Sequence, residues 1–175
     1  MMHMDSTSEP VPVMLFMGLM YREKAVFEIA IQELTDRFGR VILRSPVFDF
    51  NFTDYYTHEM GAGLKKAFIA FETHVDPGSL AEIKIITNKI EARLSALSEG
   101  KQMRKINIDP GYATQRKVVL ASTKNRSRRI YLGEGIYAEV TLQFKEGKWE
   151  PLPWTYTDFK TQIAQEFLTG LRESL

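Results

Sequence analysis

The chain has 175 residues, 44% of them hydrophobic, which is enough for one domain with a sizeable core. It contains no cysteine, and this excludes disulfides, cysteine nucleophiles and thiolate metal sites. The formal net charge of +1 hides a segregation of charge, because residues 101–129 contain nine basic side chains and a single acid, Asp109. Such a basic segment is typical of a site for phosphate or nucleic acid, although alternation of side chains along strands would also leave it as a solvated surface.

The predicted elements begin after a flexible tail at residues 1–12. Residues 13–20 form an apolar run that is too short to span a bilayer, and we expect it to be a buried strand. A helix is predicted over residues 23–38, because apolar side chains recur on one face and Gly39 follows at the position that favours glycine. Because these elements are not preceded by the basic flank of a secretory signal, we expect a cytoplasmic protein without a membrane partner.

Two further strands and a second helix are predicted next. The strands cover residues 41–50 and 64–75, and the segment between them is irregular or a short helix. Asp76 is the predicted N-cap of the helix, which begins with a proline and ends near Leu97. The predicted buried stripe of this helix consists of Leu80, Ile83, Ile86, Ile90, Leu94 and Leu97.

A fourth strand is predicted over residues 104–109, and the Pro110-Gly111 pair after it indicates a type II turn. The resulting order, βαββαβ over the first 109 residues, is the plan of a ferredoxin-like core. C-terminal antiparallel hairpins and a terminal helix over residues 158–174 extend this core. The sequence thus predicts an α+β fold with a single domain over residues 13–175.

The stretch RRIYLGEGIYAEVT at residues 128–141 predicts a hairpin whose register follows from its loop. With Gly133-Glu134-Gly135 as a three-residue loop, the cross-strand pairs are Leu132–Ile136, Tyr131–Tyr137, Ile130–Ala138 and Arg129–Glu139. One face then presents Arg129, Tyr131, Tyr137, Glu139 and Thr141. We interpret this polar and aromatic row as the wall of a site, or else as a solvated sheet face with an exposed Arg129–Glu139 ion pair.

Two polar groups occur where local structure does not require them. Lys84, Asn88 and Glu91 follow one another at helical spacing, so they share a face of the second helix. Asn107 and Asp109 lie at the end of the fourth strand, on the face opposite its isoleucines. Each group is a candidate ligand site, and the strand end is also a candidate site for a divalent metal. The alternatives are an exposed helix flank with a side-chain hydrogen bond for the first group and an Asx-type turn for the second.

A third candidate group lies in the aromatic and acidic segment DFNFTDYYTHEMG at residues 49–61. Tyr55, Tyr56 and Glu59 suit stacking on a base or sugar with polar anchoring, or the aromatic side chains simply cap the core. The segment WTYTD at residues 154–158 is interpreted as a structural clamp before the last helix. The sequence contains no Walker phosphate loop, dinucleotide-binding glycine motif or nucleophile elbow, and its three histidines are too few for a multi-histidine metal site.

Three functions are consistent with these groups. The first is a pocket for a phosphorylated small molecule or nucleotide, either as a binding site or as the site of a magnesium-assisted enzyme. Its ligand-binding residues would be Lys84, Asn88, Asn107, Arg129, Tyr131, Tyr137, Tyr55, Tyr56 and Glu59, and its general base or magnesium ligand would be Glu139, Asp109 or Glu91. The second is an RNA-binding module that uses residues 101–129. The third is a non-catalytic adaptor that docks a partner through exposed Trp149 and Trp154.

Several segments together resemble one protein family. They are FTDYYTHEMG, LAEIKIITNKIE, INIDPGY, KVVLAST, RIYLGEGIYAEVTL and WTYTD. This combination resembles a bacterial family known as domain of unknown function 4416, and the resemblance extends over about residues 13–160. It implies a free-standing prokaryotic protein, and it implies no particular activity, cofactor or catalytic residue.

Overall fold

The computed structural model describes residues 7–98 and 100–175, so residues 1–6 of the predicted tail lie outside it. The elements in chain order are β1 (Val13–Tyr21), α1 (Lys24–Phe38), β2 (Val41–Arg44), β3 (Phe48–Asp49), α2 (Thr57–Met60), β4 (Lys65–Val75), α3 (Leu80–Arg93), β5 (Ala96–Ser98), β6 (Lys101–Met103), β7 (Ile106–Ala113), β8 (Lys117–Ser122), β9 (Ile130–Gly133), β10 (Ile136–Lys145), β11 (Lys148–Pro151) and α4 (Gln162–Glu173). Two 3₁₀ turns, Pro77–Ser79 and Thr157–Lys160, precede α3 and α4. None of the described helices has both the length and the apolar character needed to cross a membrane.

One antiparallel sheet dominates this mixture of helix and strand. Its strand order is β11-β10-β8-β7-β1-β4-β2, with β3 also paired to β4 and β9 also paired to β10. The strands β5 and β6 form a separate hairpin. The α+β character predicted from the sequence is therefore confirmed.

Helices cover both faces of the sheet, and β1 lies between two apolar layers. Leu15, Met17 and Leu19 of β1 pack in one core with side chains of α1 and α3. Met14 and Phe16 pack in a second core with side chains of α4. A strand that is covered on both faces needs apolar residues at every position, and this explains why all of β1 is buried.

The second helix begins as predicted and ends earlier. The carboxylate of Asp76 accepts a hydrogen bond from the Gly78 N–H group at 2.6 Å, which confirms the N-cap. The helix ends at Arg93 and not near Leu97, because residues 96–98 turn back to pair with β6. Of the predicted stripe, Leu80, Ile83 and Ile90 are buried, Ile86 and Leu94 are partly buried, and the side chain of Leu97 lies outside the described part.

Two prolines account for differences between the predicted and observed strands. The predicted strand 41–50 is divided into β2 and β3 by Ser45-Pro46, since proline has no N–H group for a sheet. The predicted turn at Pro110-Gly111 is wrong, because both residues continue β7. Pro110 pairs only with β1, and a Cβ atom on Gly111 would lie 2.5 Å from the Val119 oxygen of β8. Glycine is therefore required here by the close approach of a neighbouring strand.

The hairpin of β9 and β10 has a shorter loop than predicted. The pairs Tyr131–Tyr137 and Ile130–Ala138 are confirmed, but Ile136 lies opposite Gly133 and not opposite Leu132. The loop consists of Glu134 and Gly135, whose φ angles of 52° and 77° suit a two-residue turn of type I′. The register shift between Ile136 and Tyr137 restores the predicted pairing farther from the loop.

Candidate functional site

A cavity of about 580 Å³ opens where two neighbouring strands of the sheet separate. The pairing between β7 and β8 covers only three residue pairs, from Ala113–Val118 to Gly111–Leu120. The residues that would continue this ladder, Asp109 on β7 and Ser122 on β8, both line the cavity. The gap in the sheet therefore supplies the space for a ligand.

Two side chains of α3 form hydrogen bonds with the backbone of β7 at Ile108, where β8 no longer pairs with that strand. The Ile108 N–H group donates a hydrogen bond to Oε1 of Glu91 at 2.6 Å. The Ile108 carbonyl accepts one from Nζ of Lys84 at 2.8 Å. Both side chains are buried, so water does not replace these hydrogen bonds. The helix therefore provides the donor and the acceptor that a neighbouring strand would otherwise provide. Lys84 and Glu91 thus form structural hydrogen bonds, as the alternative interpretation expected, but from buried positions and not from an exposed helix flank.

We call the buried side of the cavity the floor, formed by Lys84, Asn88, Glu91, Arg104, Asn107 and Asp109. Hydrogen bonds connect three of these residues in series. The guanidinium of Arg104 donates to Oδ1 of Asn107 at 2.7 Å, and Nδ2 of Asn107 donates to Oδ2 of Asp109 at 2.8 Å. Arg104 also donates to Oε2 of Glu59 at 2.6 Å, so Glu59 orients the floor without lining the cavity.

The two carboxyl groups of the floor have opposite pKa shifts. Burial alone would raise the pKa of Asp109, but Lys84, Lys66 and the amide of Asn107 hold it below its ordinary value. Burial raises the pKa of Glu91 above its ordinary value, despite the opposing effects of Lys84 and of the Ile108 N–H group. Asp109 therefore stays ionised more readily than Glu91.

A buried ion pair lies beside the floor. Nζ of Lys66 donates to Oδ2 of Asp158 at 2.6 Å, and the ammonium lies 5.5 Å from the ring centroid of Phe68. The stem of Lys66 passes over Gly18, where a Cβ atom would lie 2.9 Å from its Cε. Burial lowers the pKa of Lys66, but Asp158 and Asp109 outweigh this effect and raise the pKa above its ordinary value. The pair was missed because its partners are 92 residues apart. The signal that the sequence offered was a lysine on the same face of a strand as Phe68.

The predicted pair of Arg129 and Glu139 is buried beside the cavity. Oε2 of Glu139 accepts hydrogen bonds at 2.8 Å from Nε of both Arg128 and Arg129. Only 3% of the Arg129 side chain and 2% of the Glu139 side chain are exposed, so the interpretation as an exposed surface ion pair is wrong. Arg129 also donates to Oγ of Ser122 and to the hydroxyl of Tyr156, at 2.7 Å and 2.8 Å. These bonds use both terminal nitrogens of the Arg129 guanidinium.

The exposed side of the cavity, which we call the rim, is formed by Phe52, Tyr55, Lys124, Arg126 and Tyr156. Nζ of Lys124 lies 4.0 Å from the ring centroid of Tyr55 and 2.5 Å from its hydroxyl oxygen. Within residues 7–98 and 100–175, neither Lys124 nor Arg126 forms an ion pair with an acidic side chain. The rim therefore has positive charge that the protein does not neutralise.

The structure brings most of the predicted site residues together. Those that line the cavity are Lys84, Asn88, Glu91, Asn107, Asp109, Arg129, Glu139, Tyr55 and Tyr56. Tyr131 and Tyr137 do not line it, although their rings pair at 5.2 Å, and Glu59 acts only through Arg104. Of the basic residues in 101–129, those that line the cavity are Arg104, Lys124, Arg126, Arg128 and Arg129.

The acidic side chains of the cavity are engaged with cations. Lys66 neutralises Asp158, Lys84 lies 3.6 Å from Asp109, and two arginines bind Glu139. Among the described residues, no group of three His, Cys, Asp or Glu side chains is arranged to hold a metal ion. The side chains of the cavity therefore resemble an anion site more than a cage for a divalent metal.

The tryptophans expected to dock a partner do not form an exposed patch. Only 3% of Trp149 is exposed, and it belongs to the core beside α4. Nε1 of Trp154 donates to the Val140 carbonyl at 2.8 Å. The adaptor hypothesis fails in the form that relied on these two side chains.

Comparison of the chain with known proteins identifies its family. A search of curated proteins and a search of solved structures each found no match. A family model matches residues 11–175, which is nearly the whole chain and includes every residue of the floor and the rim. The protein belongs to the family described as "Domain of unknown function (DUF4416)".

Proposed function

We propose that the cavity binds a phosphorylated small molecule, and that the ligand's phosphate lies at the rim. The observation that supports this most directly is the distribution of charge. Seven basic and four acidic side chains line the cavity. The acids are engaged with cations inside the cavity, whereas Lys124 and Arg126 have no acidic partner among the described side chains. A phosphate at the rim would supply the missing negative charge.

The aromatic side chains of the rim favour a ligand with a planar ring. Phe52, Tyr55 and Tyr156 are exposed and line the same opening as Lys124 and Arg126, the cations without an acidic partner among the described side chains. Exposed aromatic rings next to basic side chains are suited to stacking on a nucleotide base. The volume of about 580 Å³ lies within the range of about 300–1,000 Å³ that is usual for small-ligand sites. A nucleotide is therefore our preferred ligand, and such a ligand agrees with the expected cytoplasmic location.

If the protein is an enzyme, Asp109 is the best candidate for its general base. Its side chain is 30% exposed, compared with 10% for Glu91 and 2% for Glu139. Its lowered pKa keeps it in the ionised form that can accept a proton, whereas Glu91 already accepts a hydrogen bond from the Ile108 N–H group. Magnesium, if the reaction uses it, would bind mainly through the phosphates of the ligand.

A second candidate is single-stranded RNA, and it is supported by the same exposed cations and tyrosines of the rim. The two candidates differ in how affinity depends on ligand length. A mononucleotide would fill the cavity, whereas an RNA strand would extend beyond it and bind more tightly as it lengthens. RNA binding would also weaken steeply with salt.

We also propose that strands β1, β2, β4 and β7 form a ferredoxin-like core with helices α1 and α3, within a single domain over residues 13–175. The antiparallel order β7-β1-β4-β2, with α1 and α3 packed in one core, supports this proposal. In this arrangement the cavity lies at the edge of the core, where β8 joins it.

The test is a thermal-shift and calorimetric screen against nucleotides, sugar phosphates, pyrophosphate and short RNAs, with and without magnesium. We expect a phosphate-containing compound to raise the melting temperature. Arg126→Ala should weaken its binding about tenfold, the equivalent of roughly 1.4 kcal/mol. The matched control is Arg116→Ala, which removes the same charge from an exposed position outside the cavity. Equal losses in the two variants, or no binding by any compound, would refute the proposal.

A further inference from the structure

Asn88 is a polar side chain of the floor that the fold does not use. It lies in the middle of α3, lines the cavity, and forms no hydrogen bond with any described residue. Its neighbours on the same helix face, Lys84 and Glu91, are both engaged with Ile108. Asparagine is less favourable than alanine inside a helix, so the fold gains nothing from it here. Its amide offers two donors and an acceptor to the cavity.

Asp109 is the acidic group of the floor with unused hydrogen-bonding capacity. Its Oδ2 accepts one hydrogen bond from Asn107, and its Oδ1 lies 3.6 Å from Nζ of Lys84, which is longer than a hydrogen bond. An ionised carboxylate can accept about four hydrogen bonds, so most of its acceptor sites remain open. Because its pKa is lowered, it offers acceptors only.

Both side chains line the cavity close to Lys84. Asn88 lies one turn along α3 from Lys84, and the ammonium of Lys84 lies between the Ile108 carbonyl and Asp109. An acceptor-only carboxylate repels a phosphate and attracts hydroxyl or amino groups. An amide that lines the same cavity complements such groups, because it both donates and accepts.

We infer that Asp109 and Asn88 form a head-group subsite, which binds the hydroxyl or amino groups of a ligand whose phosphate lies at the rim. The ligand is therefore a phosphate ester of a hydroxylated or amino-bearing compound, such as a nucleotide or sugar phosphate, and not a bare phosphate or polyphosphate. This inference rests on the proposed phosphate site for the position of the ligand's other end.

The experiment compares inorganic phosphate with phosphate esters by calorimetry on the full chain. The esters are the four common ribonucleoside 5′-monophosphates, ribose 5-phosphate and glucose 6-phosphate. We expect at least one ester to bind about tenfold or more tightly than inorganic phosphate, which corresponds to the strength of one or two added hydrogen bonds. Arg126→Ala should weaken both the ester and inorganic phosphate.

Asn88→Ala is the decisive variant, because it removes a side chain on which the fold does not depend. It should weaken the preferred ester about fivefold to tenfold and leave the affinity for inorganic phosphate unchanged. Asp109→Asn should likewise weaken binding of the preferred ester and leave the affinity for inorganic phosphate unchanged. Its urea midpoint shows whether the variant remains folded. Lys89→Ala is the matched control, because Lys89 is the exposed neighbour of Asn88 and does not line the cavity.

The outcomes separate the two proposals. If inorganic phosphate and every ester bind equally well, or if Asn88→Ala weakens both equally, the head-group subsite is refuted and the phosphate site stands. If a preferred ester binds and Asn88→Ala leaves its affinity unchanged, the subsite is likewise refuted. If neither phosphate nor any ester binds the folded wild-type protein, both proposals are refuted.

Discussion

The floor and the rim are two regions of one cavity, and both contain basic side chains, but the protein uses their charges differently. In the floor, Lys84 binds a backbone carbonyl and lies near Asp109, and Arg104 binds Glu59 and Asn107. In the rim, Lys124 and Arg126 have no acidic partner among the described side chains. The difference follows from burial, because a buried charge without a partner is costly and an exposed one is not.

This contrast separates residues that hold the cavity open from residues that are free to meet a ligand. Lys84 and Glu91 of the floor replace a missing strand, and Arg104 binds Glu59 and Asn107, so we expect the removal of these side chains to change stability. Asn88 is the exception in the floor, because its side chain has no partner among the described residues. Arg126 of the rim has no acidic partner among the described side chains, so its removal should change binding and leave stability almost unchanged. Four predictions test this separation.

The largest effect is expected for Asp158→Ala, next to the floor. This change leaves the ammonium of Lys66 buried without its partner at 2.6 Å, and breaking such a pair typically costs about 3–5 kcal/mol. Urea unfolding followed by circular dichroism measures the change. The double variant Lys66→Met/Asp158→Leu should recover most of the lost stability, because it removes both charges. A loss below about 1 kcal/mol in Asp158→Ala would show that the pair is not desolvated.

A smaller effect is expected for Glu91→Ala. The N–H group of Ile108 would lose its acceptor at 2.6 Å, and a buried unsatisfied donor costs about 1–3 kcal/mol. Glu91→Gln is the matched control, because its side-chain oxygen can still accept this hydrogen bond. If both variants are equally unstable in urea, the charge of Glu91 matters more than the strand-edge hydrogen bond.

The pH dependence of stability tests whether burial raises the pKa of Glu91 in the folded protein. Its pKa in the folded protein is raised above the ordinary value of 4.5, so the native state holds a proton that the unfolded chain has released. The contribution of Glu91 to stability should therefore fall as pH rises from about 4.5 through the raised pKa. Urea midpoints across this window should fall more in the wild type than in Glu91→Gln, which does not titrate. Parallel pH profiles would contradict the raised pKa.

The sequence predicted the elements whose local and tertiary requirements agree. Three examples are the apolar run of β1, the N-cap Asp76 and the helix before Gly39. Each adopts in the fold the secondary structure that its local sequence favours. Pro110-Gly111 misled the prediction, because the pair favours a turn locally. In the fold, Gly111 is required by the approach of β8, a contact that no local rule contains.

The site was predicted in part for a related reason. Asn88 and Asp109 were identified as candidate site residues because they are polar at positions where the local structure does not require a polar side chain. Lys66 and Asp158 were not found, because each is informative only once the other is known to lie beside it. Tyr131 and Tyr137 were assigned to the site because they share a face with Arg129 and Glu139, which do line the cavity. A register determines the face of a strand but not how far along that face a cavity extends.

The smallest effect on stability is expected for Arg126→Ala, and its comparison with Arg104→Ala is the most direct test of the separation. Both arginines belong to the same basic segment and line the same cavity. Arg104 donates to Glu59 and Asn107, so its loss should cost about 1–3 kcal/mol of unfolding free energy. Arg126 has no such partner, and its loss should change stability by no more than about 0.5 kcal/mol. If urea unfolding gives equal losses for the two variants, the rim is part of the structural network and its charge is not reserved for a ligand.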